Sequence, residues 1–302
     1  MKSHPLYLFA LDPTHIGAGG YRLGRVDNTI LRDAATGLPK LPGSSINGAI
    51  RSAAIYSLPD GEREKAMQYA NHTLRKKGHE QRPHDGATDS VARVFGYAEG
   101  DEKGQSRIGL VSFRDAEILA FPVPTMAGPR WITTPALLEA AGCANIPPIN
   151  DPTKIVIQSV GTPPPQINLG WILLDATPKT IPFPEFLKNQ PGMDHVRANL
   201  ALVHDSLFPS LVNANLETRT SVSIDFETGA GADGLLFTYE AAPRGALYRG
   251  QVDFDDQRFP ELYVGSLALV QKGLALACQL GLGAMTTRGF GRMQPMLAEA
   301  LK

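Results

Sequence analysis

Residues 14–51 read THIGAGGYRLGRVDNTILRDAATGLPKLPGSSINGAIR, and the order of features in this stretch sets the reading of the whole chain. A glycine-rich loop leads into a β-like run, VDNTILRD, with Ile30 facing inward. A turn at Pro42–Gly43 follows, and SSINGAIRSAAIYSL then places Ile46, Ala49, Ile50, Ala53 and Ala54 at helical spacing. Ser44 or Ser45 is the expected N-cap of that helix. The helix start then directs backbone N–H groups toward whatever lies beside the glycine loop, which makes an anion site. Arg22, Arg25, Arg32 and Arg51 lie around the carboxylate of Asp27. Glycines such as Gly17 and Gly19 let a backbone approach a partner closely, arginines grip phosphates, and a carboxylate among arginines is held ionised at neutral pH. The partner that suits such a surface is a polyanion. Asp27 is then either a group that does chemistry on it or a strand-end carboxylate paired with an arginine, and His15 either orients a phosphate or caps the loop.

Outward from this stretch, LYLFAL (residues 6–11) reads as a buried first strand. Residues 58–106 are polar, charged and His-containing, helical at first and loose at the end, and read as an insertion on a core domain. IGLVSFRDAEILAFPV returns to strand character, and WITTPALLEAAG is a helix capped by Thr133 or Thr134 with Pro135 in its first turn. Residues 145–170 are proline-rich and read as an irregular, mobile loop. From Glu217, two β-like runs flank a flexible tip at Thr228–Gly234, a protruding hairpin. A turn at Pro243–Gly245 leads to a further strand, and a long apolar helix ends in a second glycine-rich loop, GAMTTRGFGRM, with Thr286, Thr287, Arg288 and Arg292. The glycines and hydroxyls of that loop suit contact with a phosphate backbone.

Composition narrows the function classes. The chain has 302 residues, 43% of them hydrophobic, and a formal net charge of −1. The near-neutral balance is not that of a free-standing nucleic-acid binder, although basic groups gather near the start, at Arg75–Lys77 and in the late loop, while Asp253, Asp255, Asp256 and Glu261 gather elsewhere. Cys143 and Cys278 have no ligand partners at zinc spacing, so neither a disulfide framework nor a zinc finger is expected, and the pair fits a reducing cytoplasm. No apolar run reaches the ~18 residues a membrane span needs. GAGGYRLG breaks the dinucleotide-binding pattern at Arg22, PGSSING is not a nucleophile elbow, His79-Glu80 lacks its second histidine, and no P-loop occurs. His204-Asp205 reads as a surface pair.

Five pieces in order carry a family resemblance: THIGAG, GRVDNTILRD, TGLPKLPGSSINGAIR, RDAEILAFPV followed by RWITTPALLE, and SIDFETG…LLFTYEAAPRG with the closing glycine loop. Together they resemble the RAMP superfamily of CRISPR RNA-binding proteins, and more narrowly the repeated backbone subunit of type III-B (Cmr-type) effector complexes. The resemblance implies an α+β fold with a ferredoxin-like (RRM-like) palm core at residues 1–57 and 107–302, a fingers-like insertion at 58–106 and a thumb-like hairpin at about 217–240. It implies a cytoplasmic, metal-dependent endoribonuclease acting on guide-paired RNA, with no membrane partner. Its partners would be guide CRISPR RNA, target single-stranded RNA, further copies of the chain in a helical filament and other Cmr-type subunits. Each thumb would displace a base pair of the guide–target duplex, and the target would be cut beside each displaced position with Mg²⁺ or another divalent metal. Asp27 matches the catalytic aspartate, as general base or as metal ligand, with His15 beside it. Gly17, Gly19, Arg22, Arg25, Ser44, Ser45, Asn47, Arg51, Thr228, Gly229, Thr286, Thr287, Arg288 and Arg292 fall where RNA is held. The family commonly carries lysine where Asn47 stands, so a charged phosphate contact becomes a neutral one here. Two other functions fit the same residues: a non-catalytic guide-binding filament subunit whose Asp27 supports Arg22 or Arg25, and a RAMP-type guide-processing endoribonuclease in which His15 is central.

Overall fold

Hydrophobic alternation in the first strand, Lys2–Ala10, already shows that the sheet it joins is covered on both faces. Leu6, Leu8 and Ala10 enter one apolar cluster while Tyr7 enters another, as the two-residue period of a strand requires. The computed structural model describes residues 1–19, 26–75, 90–97, 107–158, 164–258 and 260–297. Within them, one large mixed sheet runs in the order Met293–Leu297, Lys2–Ala10, Leu247–Phe254, Ala116–Val123, Arg130–Thr133, Leu200–Leu202, Lys154–Gln158, Ile172–Lys179, Gln166–Leu169. Val111–Phe113 and Lys40–Leu41 pair at its margins. Most neighbours are antiparallel; Leu200–Leu202 with Arg130–Thr133, and Ile172–Lys179 with Lys154–Gln158, are parallel.

Helix Gly43–Tyr56 packs on the long helix Pro260–Leu280, and both feed the first cluster through Ile46, Ile50, Ala53, Val270 and Leu274. The opposite face is covered by residues 181–196, with Phe183, Leu187, Met193 and Val196 packed on Trp131 and Leu247. The insertion begins as a helix, Asp60–Arg75, as its pattern suggests; residues 76–89 and 98–106, including Lys76, Lys77 and His79-Glu80, lie outside the described residues. Thr134 caps Pro135–Ala140 by accepting from Leu137 N. No described helix is long and apolar enough to cross a membrane.

Three sequence expectations are corrected. Residues 145–170 are not simply irregular: Lys154–Gln158 and Gln166–Leu169 are strands, because Ile155, Val156, Ile157, Ile167 and Leu169 are buried in the sheet. VDNTILRD forms no ladder; it makes single bridges, Gly17 to Ile30, Asn28 to Tyr239 and Arg32 to Pro39, although Ile30 is buried as expected. The N-cap of Gly43–Tyr56 is Pro42, with no side-chain cap from Ser44 or Ser45. The capping acceptor comes instead from Asp115, 72 residues away, whose Oδ1 receives the Gly43 N–H at 2.8 Å while Lys40 Nζ sits 2.8 Å from its Oδ2.

The helix start is pressed so close to its neighbour that a Cβ on Gly43 would stand 2.1 Å from the Phe113 carbonyl oxygen. An ordinary Gly→Ala change in a helix stabilises by about 1 kcal/mol. Here the contact is with backbone, which cannot rotate away, and overpacking of this kind costs roughly 1–3 kcal/mol. Gly43→Ala is therefore expected to lower the stability measured by chemical denaturation; an unchanged or higher midpoint would contradict the packing described.

Candidate nucleic-acid interface

The hairpin Glu217–Ile224/Gly231–Ala241 is a two-stranded ribbon apart from the main sheet. Its turn is Asp225–Ala230, closed by Gly229 N–H donating to Asp225 O and by the Asp225 Oδ1 acceptor for Glu227 and Thr228 N–H. Thr228 and Gly229 lie in this turn, whereas residues 231–234 already belong to the outgoing strand, so the tip is shorter and earlier than its glycines suggested. Phe226, beside them, is 101% exposed, and Val222, Ile224 and Leu236 are exposed along the ribbon. No signal in the periodicity singles out Phe226; its aromatic character within a turn is the only cue.

At the other end, the hairpin base is tied to the segment that carries Asp27. Asn28 N–H donates to Thr238 O and Glu240 N–H to Asn28 O, which lays residues 27–30 alongside the outgoing strand. Asp27 is exposed, and its Oδ2 accepts from Thr238 N at 2.7 Å and Thr238 Oγ1 at 3.0 Å. These bonds, the backbone one foremost, hold the carboxyl below its usual pKa, because they favour the charged form. The sequence expectation of an ionised acid is met, and among the described residues the bonds come from a threonine 211 residues away. Both bonds fall on Oδ2, which leaves Oδ1 for a further partner. Arg22 and Arg25 lie outside the described residues.

His15 is buried, 3% exposed, with Nδ1 2.6 Å from Glu240 O and its ring edge-on to Tyr239. Its place is inside the joint between loop and hairpin. Arg32 is the hub that sequence reading missed. Its Nη2 lies 3.0–3.1 Å from both Glu240 carboxylate oxygens, Nε donates to Asn213 Oδ1 at 2.9 Å and Nη1 to Ile30 O at 3.1 Å. Glu240 Oε2 also accepts from Ile30 N–H.

The second glycine-rich loop packs beneath. Ala284 N–H donates to His15 O, and Gly283, at φ +101°, would place a Cβ 2.4 Å from that same oxygen. Glycine is thus required by the close backbone contact, a structural reason beside the phosphate-contact reading. Met285 adopts φ +62°, a left-handed conformation uncommon outside glycine. Tyr239, Ala241 and Phe290 form a small buried cluster here, with Arg219 over the Phe290 ring and Arg288 over the Phe237 ring at 4.8 and 5.2 Å. Thr287 and Arg288 are exposed and Thr286 half-buried. Arg292 is exposed but engaged: Nε and Nη2 donate to Asp12 at 2.5 and 3.0 Å. Gly17 and Gly19 are exposed on the first loop, with open space around Gly19.

Ser44, Ser45, Asn47 and Arg51 stand on the first turns of helix Gly43–Tyr56, the two serines exposed and the other two half-buried. Asn47 Oδ1 is buried without a hydrogen-bond partner among the described residues. Among the described residues, no group of three or more His, Cys, Asp or Glu side chains is placed to hold a metal ion. Asp27 offers one carboxylate, whose Oδ2 already accepts from Thr238.

The RAMP superfamily model matches residues 8–294. The chain is 27% identical over 270 residues to the CRISPR system Cmr endoribonuclease Cmr4 of Pyrococcus furiosus, spanning 82% of this chain and 80% of that protein. Among solved structures, a chain of the type III-B Cmr-beta complex bound to cognate target RNA superposes with a TM-score of 0.67 at 16% identity, covering 100% of this chain and 99% of its own. Oligomeric Cmr4 from Pyrococcus furiosus superposes with a TM-score of 0.56 at 19% identity, covering 99% of each chain. These structures share the overall fold, and with nearly the whole length matched by the family model, the chain belongs to the RAMP superfamily.

Proposed function

We propose that the chain is a Cmr4-like backbone subunit of a cytoplasmic type III-B CRISPR effector complex, binding guide CRISPR RNA and cutting complementary single-stranded RNA at regular intervals. In this reading residues 1–57 and 107–302 are a ferredoxin-like palm, 58–106 the fingers and 217–240 the thumb. The observation that carries it is the division of labour along the hairpin: an exposed, ionised Asp27 fastened at its base, and an exposed aromatic at its tip. From Thr238 to Gly231 is seven strand residues, roughly 23 Å at ~3.3 Å each. One copy's tip and its own Asp27 therefore address different nucleotides. Stacked copies, together with other Cmr-type subunits, bring a neighbour's tip to the site.

Specificity then comes from base pairing, while the protein holds backbone and shape. Ser44, Ser45, Asn47 and Arg51 on the helix and Thr286, Thr287, Arg288 and Arg292 on the loop contact the guide, with Gly17, Gly19, Arg22 and Arg25 alongside; Thr228 and Gly229 meet the duplex. Displacing a base lets the target's own 2′-oxygen reach in-line geometry, a gain in positioning. The 2′-O–P bond forms, the P–O5′ bond breaks, Asp27 receives or steers the 2′-hydroxyl proton, and solvent protonates the leaving 5′-oxygen. His15, buried on Glu240 O, serves by holding the loop, which argues against guide processing centred on that imidazole. A divalent ion, where required, is brought largely by RNA phosphates, as Mg²⁺ commonly is.

Three outcomes test this. Asp27→Asn in the assembled complex is expected to abolish cutting of complementary RNA while guide binding persists; regularly spaced products from that variant would overturn Asp27 as the catalytic group, and a wild-type complex that yields no regularly spaced products would leave the non-catalytic filament role. Chelation of divalent ions with EDTA is expected to stop cutting, with activity returning on addition of Mg²⁺. Base–aromatic stacking is worth about 1–3 kcal/mol, so Phe226→Ala is expected to weaken base displacement and slow cutting roughly 5- to 100-fold in single-turnover assays, with assembly on guide RNA unchanged.

A further inference from the structure

We propose that Arg32 is a positioning residue for the Asp27 site: by joining Glu240, Ile30 and Asn213 it fixes the register between the 27–32 segment and the hairpin, and so the place of the reacting phosphate relative to Asp27. The inference rests on the nuclease reading above and adds a residue that touches neither RNA nor the reacting atoms. The segment lies against strand residues 238–240 with a fastening at each end. At one end Thr238 holds Asp27 Oδ2. At the other, the Arg32 guanidinium holds Glu240, which also takes Ile30 N–H. All three Arg32 nitrogens are engaged, each on a different element: the hairpin, its own segment, and helix Phe208–Ala214 through Asn213. Asn213 is itself braced, with Nδ2 donating to Gly37 O and Pro209 O.

The arrangement is more than generic stabilisation. The residues joined here stand outside the two large apolar clusters that hold the sheet, so loss of Arg32 frees the joint and leaves the fold. Arg32 and Glu240 side chains are 26% and 16% exposed, far enough from bulk water for the geometry to be maintained. A lysine keeps the charge, but its single ammonium cannot span three acceptors lying in different directions. With that end released, Asp27 keeps its Thr238 bonds and the Asn28 backbone pairing with the strand but loses the far brace of its segment, and a misplacement of about 1 Å costs on the order of 100-fold in rate.

The test uses the complex reconstituted with guide RNA and end-labelled complementary RNA under single-turnover conditions, comparing wild type with Arg32→Ala, Arg32→Lys and Asp27→Asn. Arg32→Ala is expected to bind guide normally, to cut about 10- to 100-fold more slowly, and to scatter its product ends over adjacent phosphates; Arg32→Lys recovers only part of the rate. A partly misfolded subunit lowers the fraction that reacts, not the rate constant or the cut position, so those two readouts isolate positioning. Arg32→Ala complexes that cut at the wild-type rate constant and at the same phosphates, while Asp27→Asn is inert, overturn the role of Arg32. Normal cutting by Asp27→Asn overturns the Asp27 site on which the inference rests. Should Arg32→Ala not assemble, Asn213→Ala removes the Nε acceptor, together with the Asn213 bonds to Gly37 O and Pro209 O, and leaves the Arg32–Glu240 pair in place. Several-fold slower, scattered cutting by that variant supports the assignment, and unchanged cutting overturns it.

Discussion

The joint between the hairpin and the first loop depends on one half-buried ion pair, Arg32 with Glu240. A fully exposed pair contributes ~0–1 kcal/mol, and breaking a fully buried one costs roughly 3–5 kcal/mol; this pair lies between. Its importance is in what it joins. A two-stranded ribbon is at best marginally stable alone, and an isolated loop of glycines has no reason to hold one conformation. Fastened to each other, each supplies the backbone partners the other lacks: Asn28 with Thr238 and Glu240, Thr14 with Ala242, His15 with Glu240 and Ala284. The position of Asp27 is a consequence of that fastening.

The same joint changes the meaning of the arginines. In sequence they form a basic cluster suited to phosphate. In the fold, Arg292 closes on Asp12, Arg219 on Glu217, Arg114 on Asp253 and Arg258 on Asp255. The acidic group near residues 253–256 is likewise spent on internal pairs and on the chain's amino group. Neither forms a broad field of one sign, which fits a net charge of −1. Arg51 and Arg288 form no ion pair with a described carboxylate, which leaves both open to a partner outside the chain.

What could be read from sequence was what local chemistry encodes. The first strand, helix Gly43–Tyr56, the Thr134 cap and the hairpin each follow from period, cap or turn residues within about fifteen positions. Family motifs pointed to Asp27. What sequence did not reveal was set by distant partners. Asp115 caps a helix 72 residues before it, Thr238 holds Asp27 across 211 residues and Arg32 finds Glu240 across 208. Residues 154–169 looked irregular because prolines surround them, yet the sheet recruits their short β-branched run. The late glycine loop reads as a phosphate cradle, and the sequence cannot show that its Gly283 also answers a close approach of His15 O.

The hairpin turns this local joint into a long-range one. With the tip roughly 23 Å from Thr238, a tilt of about 5° at the base moves Phe226 by about 2 Å, more than half the rise between stacked bases. Along the ribbon Val222, Ile224 and Leu236 are exposed and join no described apolar cluster. The tilt is therefore decided where the outgoing strand meets the loop: by Tyr239 and Phe290 in their small cluster, by Arg219 and Arg288 lying over Phe290 and Phe237, and by Glu240 on Arg32. The anchors that place the carboxylate are the anchors that aim the tip. Under the proposed function each base aims a tip at the next copy's carboxylate, so that one joint, repeated, would set both where a base is displaced and where the strand is cut, and a regular interval between cuts would follow from the regularity of that joint.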